Sequence, residues 1–288
     1  MEQFASGWKQ SYYGKGDVSA YRLNRDGKAP AGRSAVFGAN VLMLLYGDAF
    51  WPTYTTGDNT GLIATDSMKN FIQRETLNFT GYDYEGYVQF LAETFLARYP
   101  QVGGMQVSAT EIPYADLAAA VPAGAAAAFV PAGPERGFAR VELSRDGVVE
   151  SVAGLRGFRL LRLGGSAFHG FVRDEYTTLP DLADRPLHMW LDVEWTYAGP
   201  KDALNDGQVV SDARRAIHNV FAAFESGSIQ QVIYQMGTRL LESFPTLAEV
   251  RLEANNRTWD TIAERGSELG VYTDPRPPYG CLGLRLTR

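Results

Sequence analysis

The sequence predicts an α+β protein built from two halves that share one order of elements. In each half, the spacing of apolar residues indicates two strands, then two helices, then two more strands. Two antiparallel sheets, each covered on one face by a pair of helices, would accommodate this order. We therefore expect two domains, residues 1–145 and 146–288, that repeat an architecture without repeating a sequence.

The first half contains the clearer helix signals. Tyr87, Leu91 and Phe95 recur every four residues, which is typical of a helix with one buried face, and Pro100 ends that helix. The predicted elements are strands over Val18–Leu23, Ser34–Leu45, Met105–Ile112 and Phe138–Leu143, helices from about Asp66 and over Glu85–Tyr99, a loop over Thr53–Gly61, and an embellished hairpin connection over Pro113–Gly137.

The second half contains the clearest strand. Met189, Leu191 and Val193 alternate with other residues over His188–Tyr197, which predicts a strand with one buried face. The other predicted elements are strands over Val148–Val152, Arg156–Leu163, Leu247–Trp259 and Cys281–Leu286, and helices over Ser211–Glu225 and from Ile229 to Phe244.

Composition excludes several classes of function. The 288 residues are 45% hydrophobic and 21% charged, which is enough apolar material for a buried core. A net charge of -6 without a cluster of Lys and Arg argues against binding nucleic acid. One cysteine, Cys281, and three histidines supply few ligands for zinc, so we expect no metal.

The sequence also predicts a location. The most apolar stretch, Leu117–Val130, is interrupted by Pro122 and is too short to cross a membrane. The first ten residues, MEQFASGWKQ, lack the apolar core of a signal peptide, and the last three, Leu-Thr-Arg, differ from the peroxisomal Ser-Lys-Leu signal. We therefore expect a cytoplasmic protein with no membrane partner.

Five segments, taken together and in order, resemble the urate oxidase (uricase) family. They are YGKGDV at Tyr13–Val18, DNTGLIATDSMKN at Asp58–Asn70, GFVRDEYTTLP at Gly170–Pro180, SIQQ at Ser228–Gln231 and NNRTW at Asn255–Trp259. The resemblance runs from Tyr13 to the C-terminus. It implies two tandem T-fold domains, a homotetramer that encloses a tunnel, and active sites at subunit interfaces. It also implies oxidation of urate by dioxygen without metal or organic cofactor.

The resemblance assigns four positions to binding urate, a flat purine that is mostly a monoanion at neutral pH. Phe168 would stack on the purine ring, and the guanidinium of Arg185 would hold its edge with two hydrogen bonds. The side-chain amide of Gln230 and the backbone N–H of Ile229 would bind the adjacent edge. Taken singly, a Phe is more often a core residue and an Arg more often a surface charge.

Thr65 and Asp66 lie where a loop leads into a predicted helix. One interpretation is that a side chain here caps the helix. The resemblance implies another role, in which the backbone N–H groups at the helix start bind the five-membered ring of the purine. Both interpretations can hold together.

The resemblance also implies a proton relay. Lys15 would exchange protons with the hydroxyl of Thr65, and Asn255 would hold dioxygen or water above the ring with that threonine. Arg257 departs from the family, since many members have a histidine at this position. Arginine stays protonated and cannot act as a base. Our hypothesis is that the positive charge of Arg257 repels the like charge of Lys15 and orders water. Lys15 and Thr65 alone would then form the relay.

Two alternatives remain open at this point. One is another T-fold enzyme, a pterin synthase or cyclohydrolase, although those chemistries typically use zinc held by His or Cys. The other is a purine-binding protein without turnover, for which Phe168, Arg185 and Gln230 would serve equally well.

Overall fold

The computed structural model describes residues 5, 11–30, 34–117, 126–199, 202–204, 209–257, 260–266 and 268–288. The chain divides into two compact units. Unit 1 comprises Met1–Gly154 and Thr196–Gln208, and unit 2 comprises Leu155–Trp195 and Val209–Arg288. The sequence predicts a boundary after residue 145. Unit 1 continues beyond that position to Gly154 and also includes the later segment Thr196–Gln208.

Unit 1 contains an antiparallel sheet with helices. Its strands are β1 (Tyr13–Leu23), β2 (Val36–Tyr46), β3 (Gly104–Glu111), β4 (Tyr114–Asp116), β5 (Phe129–Pro131), β6 (Arg136–Ser144) and the first part of β7 (Gly147–Arg162), and its helices are α1 (Trp51–Thr55), α2 (Thr65–Glu75) and α3 (Tyr84–Arg98). The order in the sheet is β1-β2-β3-β6-β7. Tyr87, Leu91 and Phe95 of α3 are fully buried, which confirms the predicted helix face.

Unit 2 repeats the order of elements. Its strands are the second part of β7, β8 (Leu187–Tyr197, most of which lies in unit 2), β9 (Leu247–Asn256), β10 (Thr261–Arg265), β11 (Leu269–Tyr272) and β12 (Gly280–Thr287), and its helices are α4 (Val209–Ala223) and α5 (Ile229–Ser243). The order in the sheet is β7-β8-β9-β12, with β10 and β11 forming a separate pair. Helix α5 packs close to the sheet at Gly237, where a Cβ would lie 2.8 Å from Cδ1 of Leu286.

The structure confirms the mixed α+β class with antiparallel sheets and the repeated element order. It corrects three local predictions. Strand β7 is continuous where two strands were predicted, because Val152, Ala153 and Leu155 stay buried on both sides of Gly154. Strand β1 begins at Tyr13 instead of Val18, and the predicted loop from Thr53 begins inside α1.

Two predicted segments reach past the described residues. The connection over Pro113–Gly137 does contain a hairpin, since Tyr114 pairs with Pro131, while residues 118–125 lie outside the described part. The predicted strand over Leu247–Trp259 ends at Asn256 in the structure, and residues 258–259 lie outside the described part. Among the described residues, no helix is long and apolar enough to span a membrane.

Candidate active site

Lys15 lies on an irregular part of β1. The register between β1 and β2 shifts between Lys15 and Val18, where Asp17 adopts a φ of 56°. The residue before Lys15 must be small, because a Cβ on Gly14 would lie 1.9 Å from the carbonyl oxygen of Met43. Glycine at this position allows the backbones of β1 and β2 to approach closely. The Lys15 side chain is half-buried beside the register shift, which is a β-bulge.

Thr65 and Asp66 form the first turn of α2, but neither caps it. The N-cap residue is Ala64, which makes no side-chain hydrogen bond, so the predicted side-chain cap is wrong. Asp66 instead accepts hydrogen bonds from Lys69 at 2.6 Å and from Asn70 at 2.9 Å. The start of α2 therefore has backbone N–H groups without a capping side chain, which is the arrangement that binds anions at helix termini.

Tyr13 ties the strand that bears Lys15 to the loop that leads into α2. Its hydroxyl accepts a hydrogen bond from the backbone N–H of Ile63 at 3.0 Å, and its ring packs edge-on against Phe50 at 4.9 Å. Burial raises the pKa of Tyr13 to about 12, so the hydroxyl stays neutral at physiological pH. Tyr13 belongs to the YGKGDV motif, but no sequence pattern predicts its hydrogen bond to Ile63.

Electrostatics also connect Lys15 with the start of α2. The pKa of Asp66 lies below its usual value, chiefly through the hydrogen bond from Lys69, and the charge of Lys15 adds to this effect. In the described part of the chain, no hydrogen bond joins Lys15 to Thr65. The structure thus brings Lys15, Thr65 and Asp66 into one region of unit 1 without forming the predicted relay contact.

In unit 2, a short bridged segment gathers the predicted substrate-binding residues. Phe168 exchanges backbone hydrogen bonds with Leu182 at 2.8 and 2.9 Å, and the backbone N–H of Ala167 donates to the carbonyl of Ser226 at 2.7 Å. Leu182 is followed closely by Arg185, and Ser226 by Ile229. Phe168 therefore lies between the two segments that carry the other predicted contacts.

Arg162 fastens this bridged segment to the end of α4. Its guanidinium donates to the carbonyl of Phe221 at 2.9 Å and to that of Gly165 at 2.8 Å, and also to the carbonyl of Phe224. A further bond at 3.1 Å reaches the hydroxyl of Ser226. Burial lowers the pKa of Arg162. Sequence reasoning missed this residue, because an arginine near the end of a strand has no distinguishing pattern.

Phe168 and Arg185 are in contact. The Cζ atom of Arg185 lies 5.4 Å from the centroid of the Phe168 ring, and Phe171 stacks on Phe168 with centroids 5.0 Å apart. The Arg185 Nε is buried and has no hydrogen-bond partner within the described residues. Burial lowers the pKa of Arg185. A buried guanidinium atom without a partner is costly unless a ligand provides one.

The start of α5 presents backbone donors beside this pair. Ser228 caps the helix by accepting a hydrogen bond from the backbone N–H of Gln231 at 3.2 Å. In the part of the chain that is described, the backbone N–H groups of Ile229 and Gln230 donate no hydrogen bond. Ile229 is buried while Gln230 is exposed. The use of the Ile229 backbone and the Gln230 side chain in binding urate stays a prediction.

Asn255 and Arg257 lie at the end of β9 that meets the start of β8. Asn255 pairs with Cys281 across the β9–β12 ladder. The backbone N–H of Arg257 donates to the carbonyl of His188 at 3.0 Å. Since β8 begins two residues after Arg185, all six predicted residues of unit 2 gather towards this end of the strands.

The guanidinium of Arg257 lies between two aromatic rings. Its Cζ atom is 3.9 Å from the ring centroid of Trp190 and 3.9 Å from that of Tyr279, while Arg159 lies 4.7 Å from the Trp190 centroid. Burial lowers the pKa of His188, and the charges of Arg257 and Arg159 lower it further. The sequence did offer a signal for Trp190, which is a large aromatic on the outward face of an alternating strand.

Within the described residues, no three His, Cys, Asp or Glu side chains are grouped so that they could hold a metal ion. The predicted site residues thus fall into two groups. Lys15, Thr65 and Asp66 belong to unit 1, and the group at the start of β8 and end of β9 belongs to unit 2.

Comparison with known proteins bears on this arrangement. The Uricase family model matches residues 151–281, which include every predicted site residue of unit 2. A uricase from Haloferax volcanii is 36% identical over 93% of this chain and 95% of its own length. This chain belongs to the uricase family.

Other members of the uricase family agree in sequence and in fold. The uric acid degradation bifunctional protein of Bacillus sp. (strain TB-90) is 38% identical over 93% of this chain, which spans only 58% of that longer protein. The crystal structure of a uricase from Bacillus fastidious superposes with a TM-score of 0.86 at 34% identity, covering 97% of this chain and 94% of the other.

Proposed function

We propose that this chain oxidises urate with dioxygen and water to 5-hydroxyisourate and hydrogen peroxide, the first step of urate degradation in purine catabolism. The observation that carries the proposal is the contact of Phe168 with Arg185, whose buried Nε has no partner among the described residues. An aromatic face beside an unpaired guanidinium suits a flat anion with hydrogen-bonding edges. Membership of the uricase family supports urate as that anion.

In this proposal, unit 2 supplies the contacts that hold the purine. The ring of Phe168 stacks on it, the guanidinium of Arg185 binds one edge, and the Gln230 amide and Ile229 N–H bind the next. The backbone N–H groups of Ile229 and Gln230, which donate no hydrogen bond among the described residues, and the bonded frame around Phe168 support this assignment. Preorganised donors of this kind lower the cost of orienting the substrate.

Unit 1 supplies the proton relay. The Thr65 hydroxyl takes the second proton of the urate monoanion and passes it to Lys15, and the backbone N–H groups of Thr65 and Asp66 bind the five-membered ring. The urate dianion then gives two electrons to dioxygen. The reduced dioxygen takes up two protons, one returned by the Lys15–Thr65 relay and one from solvent, and leaves as hydrogen peroxide, while the elements of water add to the oxidised purine at the carbon that becomes hydroxylated. Asn255 holds dioxygen or water above the ring, and Arg257 contributes a fixed positive charge. The reaction requires no metal or organic cofactor.

The assembly is part of the same proposal. Each half of the chain is a T-fold domain, and four copies form a tunnel in which each site joins unit 1 residues of one copy to unit 2 residues of another. Membership of the uricase family supports a site shared between copies. The cytoplasmic location expected from the sequence stays a prediction.

Turnover of urate by the purified full-length chain, in air and with a metal chelator, tests this function. We expect the urate absorption band to disappear with an equal yield of peroxide. Lys15→Met should abolish turnover. Lys28→Met is the matched control, since Lys28 is an exposed lysine after a turn, and it should behave as the unmodified chain.

Two other outcomes would contradict the proposal. Saturable urate binding without loss of the band would favour a purine-binding protein without turnover. Absence of both binding and turnover would overturn urate as the ligand, and pterins would be tested next. Sedimentation of the same sample checks the assembly, which must contain at least two copies.

A further inference from the structure

Some arginines of unit 2 form ion pairs, whereas Arg257, like Arg185, forms none among the described residues. Arg156 pairs with Glu194 and Arg173 pairs with Asp181, as structural arginines commonly do. Arg257 makes no ion pair within the described residues, and its buried Nε has no hydrogen-bond partner there. Aromatic rings take the place of a carboxylate.

This kind of contact leaves the donors of the guanidinium available. The Arg257 Cζ lies 3.9 Å from the ring centroid of Trp190 and 3.9 Å from that of Tyr279, distances at which each ring attracts the positive charge. This attraction needs no carboxylate acceptor, and the buried Nε of Arg257 has no hydrogen-bond partner among the described residues. A carboxylate partner would have fixed the same side chain and consumed the donors.

The backbone near Arg257 is fixed as well. Its N–H donates to the carbonyl of His188 at 3.0 Å, and Trp190 lies two residues further along the same strand. Asn255 precedes Arg257 by two residues, and Arg257 directly follows the last residue of β9. The stacked charge is therefore placed beside the residue assigned to dioxygen or water.

We propose that Trp190 and Tyr279 are positioning residues. They hold the guanidinium of Arg257 next to Asn255 as a fixed positive charge that is not neutralised by a carboxylate, and we call this pair of rings the clamp. The inference rests on the proposed oxidation of urate. Many members of the uricase family have a histidine at the position of Arg257. In this chain the two aromatic rings, and not a hydrogen-bonded base, fix the side chain at that position. Loosening the clamp would then slow the chemical steps more than it weakens urate binding.

The test is a double-mutant cycle in urate turnover with the full chain. We expect Trp190→Leu to lower kcat by about three- to thirtyfold, the range expected for a cation–π contact, with KM changed less than twofold. Trp190→Phe, which keeps an aromatic face, should restore most of kcat. In an Arg257→Gln background, Trp190→Leu should have no further effect on kcat. Tyr279→Leu, at a more exposed ring, should behave as Trp190→Leu does.

Tyr82→Leu is the matched control, since Tyr82 also lies over a guanidinium, that of Arg22 at 4.8 Å, and neither of these two residues belongs to the predicted site. It should lower the melting temperature without changing kcat. If Trp190→Leu and Arg257→Gln lowered kcat independently, so that the double variant showed the product of the two effects, the proposed role of the clamp would be wrong. Equal changes in kcat and KM for Trp190→Leu would also contradict it. Failure of the unmodified chain to consume urate would instead overturn the proposed function, and with it the inference.

Discussion

Replacing Arg185 with lysine isolates the geometry of its contact with substrate from its charge. Lysine keeps one positive charge but presents a single ammonium in place of the planar fork. Loss of one charge-assisted hydrogen bond costs about 1.5–3 kcal/mol, which corresponds to roughly 10- to 150-fold in binding. We therefore expect Arg185→Lys to raise KM for urate by about that factor, with kcat lowered by less than about threefold.

Steady-state kinetics at several urate concentrations measure the effect. Arg173→Lys is the control, because Arg173 also stacks on an aromatic ring, at 4.9 Å from Phe171, but its guanidinium is already paired with Asp181 at 3.0 Å. That variant should keep the KM of the unmodified chain. Equal KM values for Arg185→Lys and the unmodified chain would refute the assignment of Arg185 to the substrate edge.

Three further outcomes are expected from the same structure. Tyr13→Phe should lower the free energy of unfolding in urea by about 1–3 kcal/mol and lower kcat, because the backbone N–H of Ile63 loses its acceptor. Unchanged stability would show that this hydrogen bond does not hold β1 to the loop before α2. Folding stability should decline as pH rises from 10 to about 12, because burial keeps Tyr13 and Tyr87 protonated in the native state while the unfolded chain ionises near 10; melting temperatures across that window check it, and Tyr13→Phe should show a shallower decline. Arg162→Lys should lower the melting temperature and raise KM for urate, since one ammonium cannot replace its bonds to Gly165 and the neighbouring groups; a variant that loses stability but keeps KM would show that this frame does not hold the substrate contacts.

The fold could be predicted where packing imposes a period on the sequence. Strand β8 alternates because one face meets the core, and α3 repeats every four residues for the same reason. The pair β10 and β11 escaped prediction because nearly all of its residues are exposed, so no face is selected to be apolar. The sequence predicts two strands where β7 is continuous, because the local pattern does not reveal that Val152, Ala153 and Leu155 are all buried.

The site was predictable in part, for a different reason. Resemblance to a family located Phe168 and Arg185, but only the bridge between distant segments brings them into contact. The pairing of Arg257 with Trp190 and Tyr279 could not be inferred, because the three residues lie on separate strands or loops whose register depends on the whole sheet. Local patterns carry no information about such long-range register.

The charges around the proposed site favour an anionic ligand. Arg185 and Arg257 have no ion-pair partner among the described residues, and the nearby carboxylate of Asp184 accepts backbone N–H groups of Ser166 and Arg185 at 3.1 and 2.9 Å. That carboxylate is thus engaged by the main chain and not by either guanidinium. An anion bound near these two guanidinium groups would supply the ionic partner that the described residues do not. Under the proposed function, Arg185 and Arg257 therefore favour binding of a urate anion over a neutral purine of the same shape.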